Sequence, residues 1–102
     1  MYMRLKYPQY FPVFFSVPNG GNRDAITGAI LKAEGAKAGV SDLLLLVPRQ
    51  GYAALCIEMK KPKGRQSEAQ KEFQKNVEKH GNKYVVCYSL DDFKREVDSY
   101  LR

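Results

Sequence analysis

Two short apolar segments, residues 42–47 and 52–60, constrain this chain more than any other feature. The first reads Asp-Leu-Leu-Leu-Leu-Val and stops at Pro48, which suits a buried strand. Residues 49–51, Arg-Gln-Gly, supply a turn, and the short connection predicts an antiparallel hairpin. Each strand carries an acid at the edge of its apolar run: Asp42 at the entrance of the first, Glu58 near the exit of the second. A tight hairpin sets the start of one strand beside the end of the other, so the two carboxylates are expected to meet. Side chains two apart share a face, so Glu58 and Lys60 point together with Ala54 and Cys56, while Leu55, Ile57 and Met59 face a core.

The remaining elements flank that hairpin. Residues 11–17 are rich in aromatic and β-branched side chains and read as a strand despite Pro12. After the turn residues Pro18-Asn-Gly-Gly-Asn22, residues 23–34 carry a partial stripe of Ile26, Ile30, Leu31 and Ala33, which predicts a helix. In 67–80, Ser67 with Gln70 three positions on is a capping box, and Ala69, Phe73 and Val77 make a stripe ended by Gly81. A strand is expected over 83–88. A last helix starts near Ser89, with Leu90, Phe93, Val97 and Leu101 inward. The order β-α-β-β-α-β-α predicts an α/β fold, a mixed sheet flanked by helices. Its strand–helix–strand units would cross over between parallel strands.

A length of 102 residues fits one domain spanning 1–102. No apolar run approaches the roughly 20 residues that cross a bilayer, and no membrane role is expected. The start lacks a signal-peptide pattern, which leads to a cytoplasmic expectation. Cys56 and Cys87 sit in apolar segments and read as buried, reduced thiols. The single histidine, His80, lies where it would end a helix, which leaves neither a histidine metal cluster nor a convincing serine-hydrolase triad. Seventeen Lys and Arg against eleven Asp and Glu give a net charge of +6, a balance that favours polyanionic partners.

Two converging carboxylates repel unless a cation joins them. Mg²⁺ takes oxygen ligands at about 2.0–2.1 Å and retains waters, so Asp42, Glu58 and the main-chain carbonyl of Met59 make a reasonable set, with Mn²⁺ an equivalent choice. Lys60 beside them would orient water or offset negative charge on a phosphate. The plainer alternative is a strand-end ion pair between Glu58 and Lys60. Lys61, Lys63 and Arg65 follow in a polar loop and are the first candidates for DNA phosphates, with Arg23 and Lys37 next. No small-molecule cofactor is called for.

The Asp…Glu-x-Lys arrangement resembles the PD-(D/E)XK nuclease superfamily, with Ser41-Asp42 in place of Pro-Asp. The wider pattern resembles the VRR-NUC (virus-type replication-repair nuclease) domain. The matching pieces are Val17-Pro-Asn-Gly-Gly-Asn-Arg23, Gly35-Ala-Lys-Ala-Gly-Val-Ser-Asp42, Ile57-Glu-Met-Lys60, Lys63-Gly-Arg-Gln-Ser67 with Gln70, and Gly81. The resemblance implies metal-dependent DNA cleavage by Asp42, Glu58 and Lys60, with Gln70 near the site. For Gln70, capping of its own helix competes equally with a catalytic role. Small stand-alone members of phage type imply a homodimer that cuts branched DNA such as four-way junctions inside a bacterial host. The family also usually carries an acid on a helix before the first strand, whereas residues 1–10 contain no Asp or Glu. A non-catalytic DNA-binding module that kept the fold is therefore the alternative.

Overall fold

In the computed structural model, which describes residues 1–17 and 39–102, the two apolar segments form β2 (Leu43–Leu45) and β3 (Leu55–Met59). They pair antiparallel, with Leu43 opposite Ile57 and Leu45 opposite Leu55. The turn is a two-residue hairpin: Arg49 and Tyr52 exchange both backbone hydrogen bonds around Gln50 and Gly51. Both central residues have positive φ, 54° and 86°, which matches the twist of the flanking strands. Gln50 occupies a position that favours glycine or asparagine, and its amide donates to the carbonyls of Ser99 and Tyr100 at 2.7 and 3.1 Å.

Outside β2 lies β1 (Phe14–Ser16), and outside β3 lies β4 (Lys83–Cys87), giving the sheet order β1-β2-β3-β4. The helix α2 (Glu68–Lys79) connects β3 to β4, and those strands are parallel, as a strand–helix–strand unit predicts. The link from β1 to β2 departs from that rule, because these strands pair antiparallel. The Val17 N–H donates to the Asp42 carbonyl at 2.8 Å, so the chain re-enters the sheet at the end where it left. The helix expected over 23–34 lies outside the described residues.

Three local expectations are corrected. Residues Phe11–Val13 form a 3-10 turn and not strand, because Pro12 has no N–H for a ladder and fixes φ for a turn. A short helix α1 (Tyr2–Lys6), unpredicted from the sequence, precedes it. In the last helix, α3 (Leu90–Tyr100), Phe93 and Val97 are buried as expected, but Leu90 is 61% exposed and Tyr100 is fully buried instead. Leu90 is the first residue after the Ser89 cap, before the helix reaches the sheet.

The core lies between the sheet and the two terminal helices. Met3, Leu45, Val47, Leu55, Ile57, Cys87, Phe93, Val97 and Tyr100 pack there, and the Tyr100 hydroxyl donates to the Val47 carbonyl at 2.6 Å. Asp98 anchors α1, accepting from the Tyr2 and Tyr7 hydroxyls at 2.7 and 2.6 Å and pairing with Lys6. Among the described residues no helix is long and apolar enough to cross a membrane.

Candidate active site

On the other face of the sheet, Cys56, Glu58 and Tyr84 are buried beneath α2. Hairpin register brings the acids together: with Leu43 opposite Ile57, the next step sets Asp42 across from Glu58. One carboxylate oxygen of Asp42, Oδ2, accepts from the Met59 N–H at 2.8 Å, which orients the side chain toward β3. Met59 closes β3, and Lys60 continues it through an N–H bond to the Cys87 carbonyl at 2.8 Å.

Glu58 is only 3% exposed. Burial first, then the negative charge of Asp42 and a hydrogen bond with it, push its carboxyl from the ordinary 4.5 up to about 7. The Lys60 charge and the Tyr84 hydroxyl pull the other way. No ion pair joins Lys60 to Glu58 or Asp42 among the described residues, so the strand-end ion pair is not formed.

Gln70 forms the capping box and also reaches Glu58. Its Oε1 accepts from the Ser67 N–H at 2.8 Å, while the Ser67 Oγ accepts from the Gln70 N–H at 3.1 Å. Its Nε2, facing the other way, donates to Glu58 Oε2 at 3.1 Å. The capping box thus fixes the amide that reaches the carboxylate. Gly39 makes this approach feasible. Its φ is +79°, and a Cβ there would sit 2.3 Å from the backbone of Ala69 and 2.7 Å from the Gln70 nitrogen. The stretch leading into Asp42 therefore lies directly on the first turn of α2.

Lys61, Lys63 and Arg65 are all exposed on the loop that leaves β3. A tight turn shapes it: the Gly64 N–H donates to the Lys61 carbonyl at 2.8 Å, and Lys63 takes a φ of 65°. Arg23 and Lys37 lie outside the described residues. His80 ends α2, and both cysteines are free and buried, with burial raising the Cys56 thiol and pushing Cys87 up to about 11. Neither thiol is a candidate nucleophile.

Sequence reasoning missed Tyr84 and Gln66. The Tyr84 hydroxyl donates to Glu58 Oε1 at 3.4 Å, and Gln66 Nε2 donates to that hydroxyl at 3.4 Å. Only the parallel register, Cys56 opposite Tyr84 and Glu58 opposite Val86, reveals that Tyr84 shares the Glu58 face. A lone aromatic at a strand start carries no such signal.

Comparison with known proteins identifies the family and the fold. Residues 16–91 match the model of the VRR-NUC domain, a span that takes in Asp42, Glu58, Lys60, Gln70 and Tyr84. The chain belongs to the VRR-NUC family. A solved structure described as a VRR_NUC domain protein superposes with a TM-score of 0.75 and 29% identity, over 90% of this chain and 70% of that one. No match is found among curated proteins. Membership of the VRR-NUC family makes this a nuclease-type domain with a DNA-processing function.

Proposed function

We propose that this VRR-NUC chain is an Mg²⁺- or Mn²⁺-dependent endodeoxyribonuclease. The observation that carries this reading is the pairing of half-buried Asp42 with buried Glu58 across the hairpin. Two carboxylates on one sheet face, with Glu58 driven toward neutrality first by burial and then by Asp42, form a site whose strain a divalent cation would relieve. The donor set suits such an ion. Each Glu58 oxygen receives one donor, from Tyr84 on Oε1 and Gln70 on Oε2, and a carboxylate has about four lone-pair positions, so acceptor capacity is left over. Asp42 has Oδ1 in reserve while Oδ2 is held by Met59. Asp42, Glu58 and the Met59 carbonyl would hold the ion.

Such an ion, when bound, supplies Lewis-acid polarisation of a phosphodiester and a more acidic water. Lys60 adds positive charge beside the carboxylates, suited to offsetting charge that builds on the phosphate. Gln70 holds Glu58 in place. Lys61, Lys63 and Arg65 give the adjoining loop a positive face for the DNA backbone. We further propose branched DNA as the substrate and a homodimer as the acting form, on the strength of the family resemblance and the small size of the chain.

A second reading, a DNA-binding module without cleavage, is favoured by one observation. Among the described residues no group of three His, Cys, Asp or Glu side chains is arranged to hold a metal. Incubation with a four-way junction, duplex and single strands, with and without Mn²⁺, separates the two. Cleavage that needs the ion and disappears in Asp42→Ala and Glu58→Ala is expected. Binding without cleavage in every condition would establish the second reading.

A further inference from the structure

Tyr84 and Gln66 close a directed run of donors onto Glu58. Gln66 is the last residue of the basic loop before Ser67 caps α2. Its Nε2 donates to Gln74 Oε1 at 3.0 Å and to the Tyr84 hydroxyl at 3.4 Å. The hydroxyl proton of Tyr84 is then free for Glu58 Oε1, 3.4 Å away. The polarity is fixed by chemistry. Turning the Gln66 amide over would set its oxygen against the Gln74 oxygen and claim the tyrosine proton for itself. The tyrosine is 6% exposed, and its ring meets Phe73 edge-on at 6.3 Å, so packing locates the hydroxyl independently of the hydrogen bonds.

We propose that Tyr84 and Gln66 are positioning residues that set the orientation of Glu58 and tie it to the seating of the basic loop. The inference rests on the reading of Asp42 and Glu58 as a cation-binding pair. Glu58 is held from two elements: β4 presents Tyr84 to one carboxylate oxygen, and α2 presents Gln70 to the other. Both contacts of the tyrosine hydroxyl are long, which leaves the carboxylate room to turn, and their contraction fixes it. Because Gln66 directly follows Arg65, a loop drawn onto a phosphate backbone moves the residue at the head of this run.

The test uses Tyr84→Phe, which removes the hydroxyl and keeps the ring on Phe73, with Gln66→Met as a second variant. Three quantities are measured: Mn²⁺ affinity by paramagnetic resonance of the free ion, the side-chain amide NMR signals of the metal-free protein, and kcat and KM on DNA. For Tyr84→Phe the Mn²⁺ dissociation constant should rise roughly tenfold. Its kcat should fall while KM for DNA stays put. The Gln70 amide signals should move although Gln70 does not touch the tyrosine, because the effect passes through Glu58. Gln66→Met should act in the same direction and more weakly. An unmoved Gln70 amide, or unchanged Mn²⁺ affinity in both variants of a protein whose wild type binds the ion, overturns the proposal. A wild type that binds no Mn²⁺ sinks the cation reading instead; the Gln70 amide then decides alone, a shift upholding the relay and its absence overturning it.

Discussion

The two faces of the sheet are built on opposite principles. Toward α1 and α3 the strands present Leu45, Leu55, Ile57 and Cys87, all fully buried, against Val97 and Tyr100. Toward α2 the same β3 presents Cys56 and Glu58, and α2 itself contributes no fully buried residue. One face gains stability from apolar surface removed from water. The other gives some of it up to hold a carboxylate where water would normally solvate it. Alternation along a single strand is enough to separate the two tasks, since Ile57 and Glu58 are neighbours in sequence and belong to different chemistry.

The sharpest test of that division substitutes those neighbours. Glu58→Gln should lower cleavage by more than about a hundredfold through loss of a cation ligand, and should raise the melting temperature of the metal-free protein at neutral pH. Ile57→Ala should instead cost about 2–5 kcal/mol in chemical denaturation, with the specific activity of the remaining folded protein retained. If both variants lost stability alike, the faces would not be divided as described.

Gly39 serves the site face through backbone contact with α2. Gly39→Ala meets both a positive φ and the backbone of Ala69, and should cost about 1–3 kcal/mol. Cleavage should fall further than stability explains, because the stretch bearing Asp42 is pushed off the turn bearing Gln70. A fully active Gly39→Ala protein would mean that this contact does not set the site.

Between pH 4.5 and about 7 the pH dependence of stability should belong to the site face, since Asp98 on the other face is held below the usual carboxylate range. Glu58 ionises near 4.5 in the unfolded chain and near 7 in the folded one. Below 4.5 both states hold the proton and its stabilising contribution is fully present. As pH rises through this window the unfolded state releases the proton first, so metal-free stability falls between 4.5 and 7 and levels above it. Glu58→Gln should remove that fall. Thermal melts across pH 4 to 8 measure it, and an unchanged slope in the variant would assign the fall to another group.

The smallest effect is expected in the loop. Lys63 adopts a left-handed backbone that glycine would adopt without strain, so Lys63→Gly should stabilise the protein by about 1 kcal/mol. It should also weaken DNA binding and reduce its salt slope by about one. Stabilisation with unaltered salt dependence would remove Lys63 from the DNA interface.

Much of this architecture was legible in the chain. The hairpin followed from two apolar runs around Pro48 and Gly51, and α2 from Ser67 with Gln70. Those signals are local: turn chemistry, caps and periodicity act over a few residues, and the structure honours them. Asp42 and Glu58 could be brought together on paper because a short hairpin sets the start of its first strand beside the end of its second. Their exact pairing came from the strand register, which is offset by one residue from that of the Arg49–Tyr52 turn. What the sequence could not decide was long-range. Whether Gln70 capped its helix or reached Glu58 depended on how α2 settles on the sheet, and the answer is that one amide does both. Tyr84 entered the site only through the parallel register of β3 and β4, and Tyr100 replaced Leu90 in the core because packing against the sheet, not helical period alone, chooses which residues are buried. Local propensity is written residue by residue, whereas these choices belong to contacts between segments distant in the chain, and only folding brings those into being.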